Sequence, residues 1–227
     1  MIHRMVLNYK QLPYRTEWLE YPDIEGFCRS HDIPPTGTRA DGSGYYSLPA
    51  IHDPKTGIYV ADSIKIAEYL EETYPETPAV FPDNSLGLQR AFTGALGRGP
   101  LAALWQFIMP LTPAILNPPS AEYFRRTKKD SVGGKDWEVA IPQGEERVVE
   151  WNKLKEGLGL IANWYKVGQP FIMGETASWG DFAWGGYLWW VRELFGAESQ
   201  DWKDLDASSE GRWSTLLDAL SAYQQVV

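Results

Sequence analysis

Cysteine is nearly missing from these 227 residues. The single thiol, Cys28, excludes a disulfide framework and any metal site built from several thiolates. Histidine is scarce too: His3, His31 and His52 stand at no helical i,i+4 or short-loop spacing, so no zinc site is expected. Positive charge is outweighed, with 21 Lys and Arg against 30 Asp and Glu and a formal net charge of −9. That balance suits neither nucleic acid nor an anionic membrane surface, since both need a basic face. Long apolar runs are also wanting. The most apolar window, Phe182 to Val191, is far too short to span a bilayer. The start, Met1 to Leu7, carries no continuous apolar stretch before Asn8-Tyr9-Lys10, so no secretory segment is read and a cytoplasmic location is expected.

What the sequence does have is the makeup of a globular chain: 44% hydrophobic and 22% charged residues, in a length that fits one or two domains with a real core. Eleven Trp residues are a heavy aromatic load, most of it expected in the core.

Up to about residue 73 the chain alternates short helical and strand-like runs. Ile2, Met5, Val6 and Tyr9 fall at helical spacing, and Gln11-Leu12-Pro13 ends that helix. Tyr14 to Trp18 alternates apolar and polar residues like a half-buried strand. Asp23 is placed to cap a short helix running to about Ser30, and a loop follows from Ile33 to Gly44. Tyr46 to His52 and Ile58 to Ala61 read as strands joined by the turn Asp53-Pro54-Lys55-Thr56-Gly57. An amphipathic helix with Ile64, Ile66, Ala67, Tyr69 and Leu70 on its apolar positions is stopped by Pro75 and Pro78. This gives a unit over residues 1–75, a linker over 76–85 and an all-helical unit over 86–227. In the last, Pro110, Pro113, Pro118 and Pro119 are expected to break the helices. Residues 145–166 form a helix with Val148, Val149, Leu154, Leu158 and Ile161 among its apolar positions, and residues 178–195 form a core helix.

Pro within Leu48-Pro49 cannot donate to a ladder, so it marks either an edge strand or a cis bond that leaves the Leu48 main chain open to a peptide ligand. Asp62-Ser63 opens the amphipathic helix and serves as an N-cap, as a carboxylate site on the helix N-terminus, or as both. Asp62 could face an ammonium group beside that carboxylate. Ser178-x-x-Asp181 reads as a capping box with a structural task. Cys28 reads as a small hydrophobe, not a nucleophile.

The segments Ser47-Leu48-Pro49-Ala50-Ile51, Asp62-Ser63-x-x-Ile66-x-x-Tyr69-Leu70 and Ser178-x-x-Asp181, in this order, resemble the glutathione transferase family. Leu7 to Lys10, Glu122 to Thr127, Trp202-Lys203-Asp204 and Gly211-Arg212-Trp213 look like its fungal-specific class A, which is related to bacterial β-etherases. The resemblance spans essentially the whole chain. It implies a thioredoxin-like α/β domain followed by an all-α domain, a homodimer, and glutathione as co-substrate. By the same resemblance Leu48 pairs its main chain with the cysteinyl unit, Pro49 is cis, and Asp62 and Ser63 hold the γ-glutamyl head. Of His31 and Arg39, in or next to the long loop, Arg39 as a permanent cation is the better candidate for the glycine carboxylate, with a solvated loop charge as its other reading. Trp105, Phe107, Met109 and Tyr123 are candidates for a hydrophobic pocket taking aromatic molecules, with core packing as their other reading.

Members of that family begin with a strand and a loop bearing the Ser, Cys or Tyr that activates the thiol. This chain starts inside the first helix, so its first unit is expected to lack that strand and no catalytic residue is assigned. Three readings stand: a transferase or etherase-like enzyme for aromatic and phenolic electrophiles, a non-catalytic binding protein for hydrophobic aromatic molecules, and a truncated gene product without activity.

Overall fold

The computed structural model describes residues 1–98 and 102–226. They divide into two compact units, Met1–Val80 joined by the chain's last residues from Tyr223, and Phe81–Ala222.

In the first unit, Ile2–Tyr9 forms helix α1, which buries Met5, Val6 and Leu7. Lys10, just past its end, is 1% exposed. Its ammonium meets Glu71 at 2.8 Å and the Pro78 carbonyl at 3.2 Å, while Glu71 also accepts the Val80 N–H at 3.1 Å. A buried cation survives only with such partners. Asn8 Nδ2 donates to the Tyr223 and Gln225 carbonyls at 2.8 and 2.9 Å, fastening the C-terminal residues to α1. The strand expected over Tyr14–Trp18 does not form. Exposure alternates only from Tyr14 to Glu17, Trp18 being 77% exposed, and no described residue pairs with the segment's backbone, so the pattern has no ladder to join. Helix α2, Ile24–Ser30, follows Asp23 as foreseen, although the Asp23 side chain makes no cap bond.

The loop expected over 33–44 holds a short hairpin, β1 Gly37–Thr38 with β2 Gly44–Tyr45. The strand expected from Tyr46 begins only at Ala50, after the proline, giving β3 Ala50–Asp53 antiparallel to β4 Ile58–Ala61. Helix α3, Ser63–Thr73, buries Ile66, Ala67 and Leu70. Cys28 shares a core with Ile24, Ile33 and Ala61. It is 1% exposed, and burial pushes its thiol up, as suits a small core hydrophobe and not a nucleophile.

Apart from two isolated β-bridges within residues 171–176, the regular elements of the second unit are helical among the described residues: α4 Leu86–Arg98, α5 Ala102–Ile108, α6 Pro118–Thr127, α7 Gly144–Ala162, α8 Trp179–Phe195, α9 Gln200–Ala207 and α10 Arg212–Leu220. Pro118 and Pro119 do not break a helix but open α6, where the missing N–H is no loss. On α7, Trp151, Leu154, Leu158 and Ile161 are buried, whereas Val148 and Val149 are 61% and 52% exposed. Arg147 covers the inner face in their place, lying 5.5 Å from the Phe107 ring and 5.0 Å from the Trp151 ring while paired with Asp201. The apolar helix α8 runs through the core as expected, with Phe182 and Trp184 fully buried. Its start is the foreseen capping box: Asp181 accepts from the Ser178 N–H at 3.0 Å and hydroxyl at 2.8 Å, and from the Ile172 N–H at 2.8 Å. The thioredoxin-like unit and the all-helical unit implied by the sequence are thus both there.

Candidate functional site

The two motifs of the first unit are brought together by one hairpin. Its turn is set by Asp53, whose carboxylate accepts the Lys55 N–H at 2.9 Å, and by Gly57 at φ 74°. Pairing then runs from Asp53 opposite Ile58 to Ala50 opposite Ala61. One step further, the Asp62 N–H donates to the Pro49 carbonyl at 3.2 Å. Leu48-Pro49, which is cis, therefore lies directly against Asp62-Ser63. Leu48 is 39% exposed, and among the described residues its main-chain groups have no hydrogen-bond partner.

Asp62 caps α3, its carboxylate accepting the Ile64 N–H at 3.0 Å. Its backbone stands at φ 83°, ψ 126°, a region that L residues seldom adopt and that costs roughly 1–3 kcal/mol. Ser63 is the first residue of the helix, half-buried, and among the described residues its hydroxyl has no partner. An open main-chain edge, a free hydroxyl, unpaired helical N–H groups and a carboxylate thus share a few residues. The set can take an extended peptide carrying a carboxylate and an ammonium group.

Arg39 is not in that group. Its guanidinium pairs with Glu25 at 2.6 Å and donates to the Gly44 carbonyl at 2.7 Å. Glu25 also accepts from Arg29 at 2.9 and 3.0 Å, and hydrogen bonds from Arg39 and then Arg29 hold its carboxyl below the usual range.

The four aromatic and apolar candidates of the second unit separate. Trp105 packs beside the cluster of Met109, Phe124, Val132 and Ala140, and its ring meets those of Tyr187 and Trp190 edge-on at 6.1 and 5.8 Å. Phe107 is 1% exposed and faces Trp151 in the core. Tyr123 is half-buried under Arg126, 5.6 Å from its ring. Sequence reasoning missed Tyr187 and Trp190, whose i,i+3 spacing on α8 was the available signal. It also missed the left-handed Asp62, for which no residue pattern stands in.

Among the described residues no helix is long and apolar enough to cross a membrane. The N-terminal domain pattern of the glutathione S-transferases matches residues 3–73 and the C-terminal domain pattern matches residues 87–223. A glutathione S-transferase-like protein of Aspergillus flavus is 30% identical over 230 residues, covering 94% of this chain and 79% of that protein. A Ceriporiopsis subvermispora glutathione S-transferase solved with glutathione is 39% identical, with a TM-score of 0.93 over 100% of this chain and 90% of that one. A glutathione transferase of Phanerochaete chrysosporium is 36% identical, with a TM-score of 0.89 over 100% and 90%. With both domain patterns in order on the fold and hairpin just described, the chain belongs to the glutathione S-transferase family.

Proposed function

We propose that the chain binds glutathione through Leu48, Pro49, Asp62 and Ser63 and serves conjugation or ether cleavage of aromatic and phenolic electrophiles. Within the family, we place it in the fungal-specific, etherase-related class A, on the strength of the stretches from Leu7, Glu122, Trp202 and Gly211 and of its likeness to the Ceriporiopsis and Phanerochaete proteins. One observation carries the reading: the 3.2 Å bond between the Asp62 N–H and the Pro49 carbonyl, which sets an open peptide edge against a helix N-terminus with a free hydroxyl. In this arrangement the Leu48 main chain pairs with the cysteinyl unit. The Ser63 hydroxyl and the α3 N-terminal N–H groups hold the γ-glutamyl carboxylate, and Asp62 faces its ammonium. The thiol-activating role is assigned to no residue of this chain. Trp105, packed beside the buried Met109 and against Tyr187 and Trp190, forms the aromatic surface for flat ligands.

That aromatic surface also supports a second reading, a binding protein that holds such ligands without turnover. Conjugation of an aryl halide with glutathione, followed by absorbance and paired with quenching of tryptophan emission by the same aryl compound, separates the two. Turnover above the uncatalysed rate supports the transferase. Saturable quenching without turnover supports the binder.

A further inference from the structure

We propose that Glu25 is a positioning residue for the glutathione site, acting through Arg39 and Arg29 on the loop that delivers Leu48; this rests on the glutathione reading above. One carboxylate on α2 holds two guanidinium groups, and each is fastened to a different point of that loop. Through Oε2 it meets Arg39 at 2.6 Å, and Arg39 donates to the Gly44 carbonyl at 2.7 Å and to Ser43 Oγ at 3.4 Å. Through Oε1 it accepts from Arg29 at 2.9 and 3.0 Å, and that guanidinium lies 4.9 Å from the centre of the Tyr46 ring. The loop is then tied across itself. The Thr36 N–H donates to the Tyr45 carbonyl at 2.8 Å, and the Thr36 hydroxyl is 2.7 Å from that of Ser47, the residue before Leu48. A continuous set of bonds therefore runs from Glu25 to the neighbour of the main chain that pairs with the cysteinyl unit.

A half-exposed ion pair adds little to global stability, but planar guanidinium groups with fixed acceptors do control geometry. Loss of the Glu25 carboxylate removes the one acceptor that ties both arginines to α2 and lets the Leu48 edge move. Arg39 here serves the ligand from behind the loop and is not the anchor of its glycine carboxylate.

The test is calorimetric titration of glutathione and of γ-glutamylcysteine, which has no glycine, into the wild type and into Glu25→Ala, Glu25→Gln and Arg39→Ala. Glu25→Ala and Arg39→Ala are expected to weaken both ligands by a similar factor, about ten-fold. Glu25→Gln, which keeps an acceptor, should recover most of that loss, and all unfolding midpoints should stay near that of the wild type. Wild-type affinity in Glu25→Ala overturns the proposal. So does a loss in Arg39→Ala that appears with glutathione and vanishes with γ-glutamylcysteine, since that marks a direct contact with glycine. A wild type that binds neither ligand overturns the glutathione reading and this proposal with it.

Discussion

Asp62 performs two tasks that pull against each other. Its carboxylate stabilises the start of α3, while its backbone at φ 83° costs energy that a glycine would not. On the proposed reading, the same carboxylate also faces the ammonium group of the ligand. Asp62→Gly therefore has opposite effects on the two properties. Losing the cap to glycine costs a few tenths of a kcal/mol and relieving the backbone returns more, so the unfolding midpoint should hold or rise. Glutathione affinity should fall about ten-fold with loss of the acidic partner of the ammonium. Unfolding and titration on the same sample check this, and a variant that loses stability while keeping its affinity contradicts it. In the helical unit Gly180 is constrained by space. A Cβ there would stand 2.7 Å from Gln89 Oε1, the atom that accepts the Gly180 N–H at 2.7 Å, and 2.9 Å from the Phe92 ring. Gly180→Ala should cost roughly 1–3 kcal/mol, read as a lowered unfolding midpoint.

Two carboxylates at the ends of elements show how local chemistry sets stability against pH. At the end of β3, burial by itself would raise the Asp53 carboxyl, but the Tyr69 and Tyr74 hydroxyls, each at 2.7 Å, and the backbone outweigh it and hold the group below its ordinary value. In the same cluster the bond to Asp53 raises the Tyr74 phenol to about 12. A carboxyl lowered on folding stabilises above its unfolded value, 3.8, and loses that contribution as pH falls below it. A phenol raised from 10.0 to about 12 stabilises below 10.0 and loses its contribution as pH climbs to about 12. Asp53→Asn should flatten both limbs of the stability curve. At the start of α8 the sign reverses. Burial pushes the Asp181 carboxyl from 3.8 up to about 6, against the pull of the Ile172 and Ser178 donors. Its contribution is whole below 3.8 and declines as pH rises through about 6, by roughly 3 kcal/mol in all. Denaturant titrations at intervals from pH 3.5 to 7 on Asp181→Asn should show that decline removed, and an unchanged slope would contradict the assignment.

Across the whole molecule, legibility in the sequence followed how local the governing interaction is. The helix from Ser63, the turn at Asp53–Gly57 and the capping box at Ser178 declare themselves within a few residues, and they form where expected. Tyr14–Trp18 was misread because a strand also needs a partner, which alternation cannot supply. Val148 and Val149 were misread because Arg147, an unlikely core residue by type, lays its guanidinium over Phe107 and Trp151. Lys10 gave no sign of burial, since its partners Glu71 and Pro78 lie 61 and 68 residues on. Of the candidate site, the residues on the hairpin could be read because one register unites them. The surroundings of Trp105 and the engagement of Arg39 by Glu25 depend on contacts between elements and could not.

We propose that the hairpin and the α3 N-terminus together form a glutathione site. Calorimetric titration of glutathione into the wild type and into Ser63→Ala tests it most directly, because the Ser63 hydroxyl has no structural partner among the described residues to lose. Saturable one-site binding by the wild type is expected, with affinity at least ten-fold weaker in Ser63→Ala, as for a hydrogen bond to a charged group, and with unchanged unfolding. A folded wild type that takes up no glutathione, or a Ser63→Ala variant that binds as tightly as the wild type, would contradict it.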